Sequence, residues 1–186
     1  MRIIGGRARG LKLAEVGAGD PAAHLRPTSD RVREAIFNLL VNGGYGNPLQ
    51  GARVLDLFAG TGALGLEALS RGATHTTFVE NGKPALALLT RNIALMRATD
   101  ETTLLRRDIR ALGPNPGAPF EMVFLDPPYG KSMGEAALDA ARTGNWLAPQ
   151  SLIVWEESSA PTLPDGFTLE DQRKYGDTLV TIARAP

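Results

Sequence analysis

From Gly51 onward, short apolar segments alternate with segments in which apolar residues recur at helical spacing. Seven strands are predicted, over residues 53–57, 76–80, 103–107, 122–126, 152–156, 167–171 and 178–183. Three helices are predicted between them, over residues 62–70, 84–96 and 134–141. Strands that are almost continuously apolar and separated by helices favour a parallel sheet covered on both faces. The last two strands have no helix between them and are predicted to form an antiparallel pair joined by residues 173–177.

Residues 1–50 precede this alternating pattern and are predicted to form an N-terminal extension of the domain. Residues 2–13 alternate weakly around glycines, which favours a short hairpin, and residues 14–27 are predicted to be a loop. A helix is predicted to begin at the capping residues 28–30, because apolar residues then follow at helical spacing. We expect one compact unit, in which this arm and helix pack on a larger domain formed by residues 51–186.

The composition excludes several kinds of site. The chain has no cysteine, which excludes disulfides, thiolate zinc sites and thiol nucleophiles. Its two histidines, His24 and His75, stand far apart without the spacing of metal ligands, so no metal site is predicted. Because no apolar segment has the length of a signal peptide or a membrane span, we expect a cytoplasmic protein that does not enter membranes.

The formal net charge is zero, but the charges are unevenly distributed along the chain. Residues 1–33 carry seven Lys and Arg against three Asp and Glu, a net charge of +4, and the remaining residues carry a net charge of −4. This asymmetry indicates either a polyanionic partner for the N-terminal residues or simply a solvated charged segment.

Three acidic residues, Asp56, Glu80 and Asp108, stand at the ends of three successive predicted strands. In an open parallel sheet this edge is where ligands bind. Gly60, Gly62 and Gly65 fit the G-x-G-x-x-G pattern, and the second acid follows at the distance expected for a residue that binds ribose hydroxyls. Alone, that pattern would favour NAD.

Asp56 argues against NAD, because its charge lies beside the loop where a pyrophosphate would have to bind. An adenosine with a cationic amino-acid tail satisfies all three acids, and that description fits S-adenosylmethionine. The predicted cofactor-binding residues are Asp56, Phe58, Ala59, Gly60, Thr61, Gly62, Glu80, Asn81, Asp108 and Ile109.

A second motif, Leu125-Asp126-Pro127-Pro128-Tyr129-Gly130, follows the predicted strand 122–126. Two successive prolines have no N–H to donate and have fixed φ angles, so they hold carbonyl acceptors rigidly beside a carboxylate and an aromatic ring. Such a turn can grip a planar group that bears an exocyclic amine, which makes Asp126, Pro127, Pro128 and Tyr129 the predicted catalytic residues. The alternative is a strand ended by prolines, with an aspartate that caps the turn.

Residues 56–62, Glu80, Asp108 and 126–129 together resemble the ordered motifs of class I S-adenosylmethionine-dependent amino-methyltransferases. More narrowly, the chain is similar to the bacterial 16S ribosomal RNA (guanine-N2)-methyltransferases that modify the head of the small subunit. The sequences that carry this narrower resemblance are residues 2–6, 9–10, 25–34 and 124–129. Ser29 stands where that family more often has a threonine. The resemblance implies a Rossmann-like fold with a seven-stranded, mostly parallel sheet, an antiparallel last strand and a short N-terminal hairpin and helix extension.

The resemblance also implies a function: transfer of a methyl group from S-adenosylmethionine to the N2 amine of a guanine in 16S rRNA, leaving S-adenosylhomocysteine. Because a neutral monomer with few cations should bind naked RNA weakly, we expect a folded or partly assembled 30S subunit as the substrate. The predicted RNA-binding residues are Arg7, Arg9, Arg26, Thr28, Arg31 and Arg33.

Two other classes of function stay open on the sequence alone. One is an amino-methyltransferase that acts on DNA adenine or cytosine or on a protein glutamine. The other is a nucleotide-dependent oxidoreductase or a non-catalytic binding module. Binding of S-adenosylhomocysteine without binding of NAD would separate the last class from the two methyltransferases.

Overall fold

One seven-stranded sheet organises the part of the chain that the structure, a computed structural model, describes: residues 1–15 and 29–186. The strands are β1 (Arg53–Leu57), β2 (His75–Glu80), β3 (Thr102–Arg106), β4 (Phe120–Leu125), β5 (Leu147–Glu157), β6 (Thr168–Tyr175) and β7 (Thr178–Arg184). Their order across the sheet is β3-β2-β1-β4-β5-β7-β6. Strands β1 to β5 pair in parallel, and β7 is antiparallel to both β5 and β6. The predicted fold class is therefore confirmed.

The α-helices of residues 1–15 and 29–186 are α1 (Asp30–Asn42), α2 (Ala63–Ser70), α3 (Lys83–Met96) and α4 (Met133–Thr143). Helix α1 begins as predicted: the hydroxyl of Ser29 accepts a hydrogen bond from the Val32 N–H, at 3.2 Å. The departure from the family's usual threonine at this position thus keeps the capping hydroxyl. Among the described residues, no helix has both the length and the hydropathy to cross a membrane.

The core lies in two layers, one on each face of the sheet. Because side chains alternate along a strand, Met122 and Phe124 of β4 belong to one layer and Val123 and Leu125 to the other. Helices α1, α2 and α3 cover the first layer, and α4 covers the second. Both faces of β1, β2 and β4 are buried, which explains why the sequences of these strands are largely apolar.

The order of the strands reverses between β1 and β4, because β2 and β3 follow β1 on one side while β4 and β5 lie on the other. At such a switch point the loops after neighbouring strands lead away in opposite directions and leave a crevice at the carboxyl ends of the strands. The loops after β1 and β4 carry the two motifs singled out in the sequence.

Residues 1–15 form a small hairpin that packs on α2. An antiparallel bridge joins Arg2 to Lys12, and the Ile3 N–H donates to the Leu11 carbonyl at 2.9 Å. The buried carboxylate of Glu67 on α2 accepts from the backbone N–H groups of Ile4 and Gly5, at 2.7 and 2.8 Å. The predicted hairpin is present, and it is fixed to the helix that follows the glycine-rich loop.

Two strands differ from their predicted bounds by more than two residues. Residues 173–175 were predicted to be a connection but belong to β6, where they pair with residues 178–180 of β7. Strand β5 begins at Leu147, five residues before the predicted start at residue 152. All of the extra residues except the polar Ser151 are exposed or half-buried, so they lack the apolar pattern on which the prediction depended.

Candidate active site

A cavity of about 600 Å³ lies at the carboxyl ends of β1, β2, β3 and β4. It brings together most of the predicted site residues, namely Asp56, Phe58, Ala59, Gly60, Thr61, Glu80, Asn81, Asp108, Ile109, Asp126, Pro127, Pro128 and Tyr129. Gly62 is the one predicted cofactor-binding residue that does not line the cavity. The two motifs, some seventy residues apart in sequence, therefore share one site.

The loop between β1 and α2 has an unusual backbone. Phe58, Gly60 and Gly62 have φ angles of 59°, 56° and 80°, in the left-handed region that favours glycine. A non-glycine residue in this region costs conformational energy, and such residues cluster at binding sites. A Cβ atom at Gly62 would lie 2.4 Å from Leu89 Cδ1, so this glycine is required by packing rather than by the cavity.

Asp56 is almost completely buried in β1 and accepts a hydrogen bond from the Gly65 N–H at 2.9 Å. Burial raises the pKa of its carboxyl well above the ordinary value, and the charges of Asp126 and Glu80 raise it further, while the Gly65 bond opposes them. A cationic group bound in the cavity would favour the ionised carboxylate. The site is thus better matched to an ammonium group than to a phosphate.

Glu80 ends β2, and its carboxylate fastens two loops. One oxygen accepts from the Gly60 N–H at 2.9 Å, and the other accepts from the N–H groups of Asn81 and Gly82, at 2.9 and 2.7 Å. The carboxylate is therefore held at the cavity wall in one orientation. Each carboxylate oxygen has two lone pairs, so capacity is left on the oxygen bonded to Gly60 for a hydroxyl donor.

Asp108, after β3, is held by a partner that the sequence analysis did not identify. The guanidinium of Arg110 donates to both of its oxygens, at 3.0 and 2.6 Å, and the Arg110 N–H donates at 2.9 Å. These bonds, the side-chain pair first, lower the pKa of Asp108 to about 2. The carboxylate is therefore ionised at neutral pH and lines the cavity beside Ile109.

The Asp126–Tyr129 turn follows β4, the neighbour of β1, and is supported by residues of β5 and β7. The Gly130 N–H donates to the carboxylate of Glu157 at the end of β5, at 3.2 Å. The hydroxyl of Tyr129 lies 3.3 Å from that of Thr178 at the start of β7. Neither support was predicted, because Glu157 and Thr178 belong to no motif and lie far from the turn in sequence.

Six further residues line the cavity without having been predicted as site residues, four of them because they belong to no motif and two because they are variable positions of the G-x-G-x-x-G pattern. They are Ala63, Leu64, Val79, Arg107, Lys131 and Met133. The apolar members widen the non-polar wall of the cavity. The two cations lie among four acids, Asp56, Glu80, Asp108 and Asp126, so the lining keeps an excess of negative charge.

The predicted RNA-binding residues are not equivalent in the structure. Arg9 and Arg31 are exposed. Arg7 is half exposed, and its guanidinium pairs with the carboxylate of Glu101, one bond measuring 2.9 Å. Arg26 and Thr28 lie outside the described residues.

For Arg33 the prediction of an RNA contact is wrong, because its side chain is completely buried. Its Nη2 donates to the Arg2 carbonyl oxygen and, at 2.9 Å, to Asp30, and its Nε lies 3.9 Å from the Glu67 carboxylate. Helical spacing could have shown this, since position 33 precedes the buried Ile36 and Phe37 by three and four residues.

No metal site is apparent in residues 1–15 and 29–186, where no three acidic or histidine side chains cluster as metal ligands would.

Comparison with known proteins places this arrangement in a family. The model of the family described as conserved hypothetical protein 95 matches residues 1–184. Ribosomal RNA small subunit methyltransferase D of Escherichia coli is 36% identical over 179 residues, which cover 95% of this chain and 85% of that protein. The Haemophilus influenzae protein of the same name is 36% identical over 181 residues, covering 95% and 89%.

A solved structure supports the same relationship. The structure of yhhF from Escherichia coli superposes with a TM-score of 0.82 at 31% sequence identity, covering all of this chain and 97% of the other. The similarity therefore includes the N-terminal hairpin as well as the sheet. The family model matches, two relatives align over most of their length, and the fold is that of Rossmann-like methyltransferases. This chain therefore belongs to the conserved hypothetical protein 95 family.

Proposed function

We propose that this protein is a cytoplasmic, monomeric S-adenosylmethionine-dependent methyltransferase. Its proposed product is an N2-methylated guanine in the 16S rRNA of the small-subunit head. The observation that carries the proposal is the single cavity that joins the acidic strand ends to the Asp126–Tyr129 turn. The names of its relatives, which are ribosomal RNA small subunit methyltransferases, support a ribosomal RNA substrate.

The residues present fit S-adenosylmethionine. The cavity, of about 600 Å³, has the size of an ordinary small-molecule site. Glu80 would hold the ribose hydroxyls, Asp56 the cationic methionine end and Asp108 the adenine amine. When bound, the cofactor supplies a methyl group that its sulfonium has already activated for displacement. The protein then has to supply alignment rather than a covalent intermediate.

Alignment of the acceptor amine is assigned to the Asp126–Tyr129 turn. The amine of guanine is a poor nucleophile because its lone pair is delocalised into the ring. The carboxylate of Asp126 and the carbonyl of Pro127 would accept hydrogen bonds from its two N–H groups and turn its lone pair toward the methyl group. As the N–C bond forms, the C–S bond of the cofactor would break, and the amine would then release one proton to solvent. Tyr129 would stack on the base and fix its plane. The hydrogen bond that the Gly130 N–H donates to Glu157, and the one between the hydroxyls of Tyr129 and Thr178, would hold the turn during this step.

The decisive experiment is a map of methylated guanosines. Mass spectrometry of 16S rRNA from cells with and without this gene should show the loss of one N2-methylguanosine, which the purified protein restores on undermethylated 30S particles. Methylation that moved instead to DNA adenine or cytosine, or to a protein glutamine, would contradict the proposal. The relatives described above do not favour these alternative substrates.

Replacing Glu80 by alanine should weaken the binding of S-adenosylhomocysteine at least tenfold. Hydrogen bonds to a charged group are worth roughly 1.5–3 kcal/mol each, and this change also releases the Gly60 N–H from its acceptor. Isothermal titration calorimetry measures the affinity. Replacing the exposed Glu34 by alanine is the matched control and should change nothing. An unchanged affinity in the Glu80 variant would remove it from the cofactor site.

Arg9 and Arg31 are two exposed cations of the predicted RNA-binding set. Replacing both by alanine should reduce the salt dependence of RNA binding, because each lost phosphate contact lowers the slope of log K against log salt by about 0.7–0.9. Binding to 30S particles over a series of salt concentrations measures this slope. Replacing Lys174, exposed on β6, serves as the control for a general loss of charge. Equal slopes in the wild type and the double variant would leave these arginines as solvated charges.

A further inference from the structure

Asn92 is a completely buried polar side chain on the apolar face of α3. Its amide group makes three hydrogen bonds. The carbonyl oxygen accepts from the Ala14 N–H at 2.7 Å, and the NH₂ group donates to the carbonyl oxygens of Ala14 and Thr61, at 3.0 and 2.9 Å. Both amide protons are therefore used, which explains how an asparagine is accommodated in this position.

These bonds join two functional segments of the chain. Thr61 belongs to the glycine-rich loop and lines the cavity proposed for the cofactor. Ala14 follows the hairpin of residues 1–13, which is fixed to itself by the bridge between Arg2 and Lys12. A second contact runs in parallel, since the Thr61 hydroxyl lies 3.6 Å from the sulfur of Met1. The buried amide of Asn92 thus joins the N-terminal segment to the loop.

The same N-terminal segment carries exposed cations. Arg2, Arg9 and Lys12 are all exposed, whereas the bonds to Asn92 lie inside the protein. The outer surface of the segment is therefore suited to a polyanion, while its inner surface touches the loop that lines the cavity. A change at the cavity can reach the cationic surface without any large movement of the fold.

We propose that Asn92 is a positioning residue that couples the cofactor loop to residues 1–15, so that binding of the cofactor and binding of RNA strengthen each other. The inference rests on the proposed function. If the backbone of either Ala14 or Thr61 moved away, part of the buried Asn92 amide would be left unpaired, which costs free energy. The N-terminal segment and the glycine-rich loop should therefore become ordered or disordered together. Such coupling is reciprocal: RNA must tighten cofactor binding by the same factor as the cofactor tightens RNA binding.

Hydrogen exchange of the wild-type protein, followed by NMR with and without S-adenosylhomocysteine, tests the coupling directly. Saturation with this ligand should slow the exchange of the Ala14 N–H at least about fivefold, the lower end of ordinary coupling factors. The Gly117 N–H, which donates to Asn115 at 3.1 Å, is the internal control and should not respond. Unchanged exchange at Ala14 would overturn the inference.

The variant Asn92→Asp keeps the shape of the side chain but removes both donated bonds. It should abolish the response at residues 1–15 while the Gly60 N–H, which donates to Glu80, is still protected by the ligand. The matched change Asn115→Asp alters another asparagine that holds loop backbone, and it should respond like the wild type. In RNA titrations, the ratio of affinities with and without S-adenosylhomocysteine should fall to about one only in Asn92→Asp.

The two levels of the hypothesis fail in different ways. A protein that did not bind S-adenosylhomocysteine at all would contradict the proposed function. A protein that bound it and methylated RNA, but whose residues 1–15 responded equally in wild type and Asn92→Asp, would contradict the coupling alone. If Asn92→Asp does not fold, the wild-type exchange at Ala14 still decides the question.

Discussion

Replacing Asp126 by alanine is expected to reduce methyl transfer by at least about 100-fold, the usual cost of losing the alignment of reacting groups, while the affinity for S-adenosylhomocysteine changes only a few-fold. Asp126 follows β4 at the centre of the sheet and lines the same cavity as Asp56 and Glu80. In the proposed mechanism it touches the acceptor amine and not the cofactor. Single-turnover rates on 30S particles and calorimetric affinities separate these two effects.

Two further variants sharpen this test of Asp126. Asp126→Asn keeps one carbonyl acceptor and should retain more activity than the alanine variant. Asp100→Ala removes an exposed acid away from the cavity and should leave both measurements unchanged. A near-normal rate in Asp126→Ala would show that the turn does not align the amine.

The fold was predictable where burial controls the sequence. Strand β1 was predicted with its observed bounds, because Val54, Leu55 and Leu57 are all fully buried between two layers of helices. The end of β6 was missed, because an edge strand covered on neither face does not need apolar residues. Its residues 173–175 carry two cations and a tyrosine, a composition that also suits a loop.

The site was predictable where its chemistry is local in sequence. The glycine-rich loop and the Asp126–Tyr129 turn are each continuous in sequence, and parallel strands bring their ends to one edge. Three supports of the site are distant in sequence: each lies 27 to 49 residues from the residue that it contacts. They are Glu157, Thr178 and Asn92. No spacing rule connects such partners, so only the tertiary structure shows them.

Arg31 and Arg33 are two residues apart, yet we expect their replacement to affect stability very differently. Arg33→Ala should lower the free energy of unfolding by about 3 kcal/mol or more, because it leaves a cavity at a completely buried position and removes the donor of the Arg2 carbonyl oxygen. For a protein of this size that corresponds to a decrease in Tm of roughly 6–12 °C. Arg31→Ala, at an exposed position, should stay within about 0.5 kcal/mol of the wild type. Thermal and urea unfolding measure both.

The complete burial of Arg33 also predicts how strongly an uncharged replacement destabilises the protein. The Nε and Nη1 atoms of Arg33 are buried without a hydrogen-bond partner, so the arginine itself bears a cost of burial. Arg33→Met fills most of the same volume without that cost and should therefore destabilise the protein less than Arg33→Ala. If Arg33 instead contacted RNA, both variants would weaken binding and lower its salt slope while the Tm stayed constant. A constant Tm in Arg33→Ala would thus contradict the structural role of this residue and return it to the RNA-binding surface.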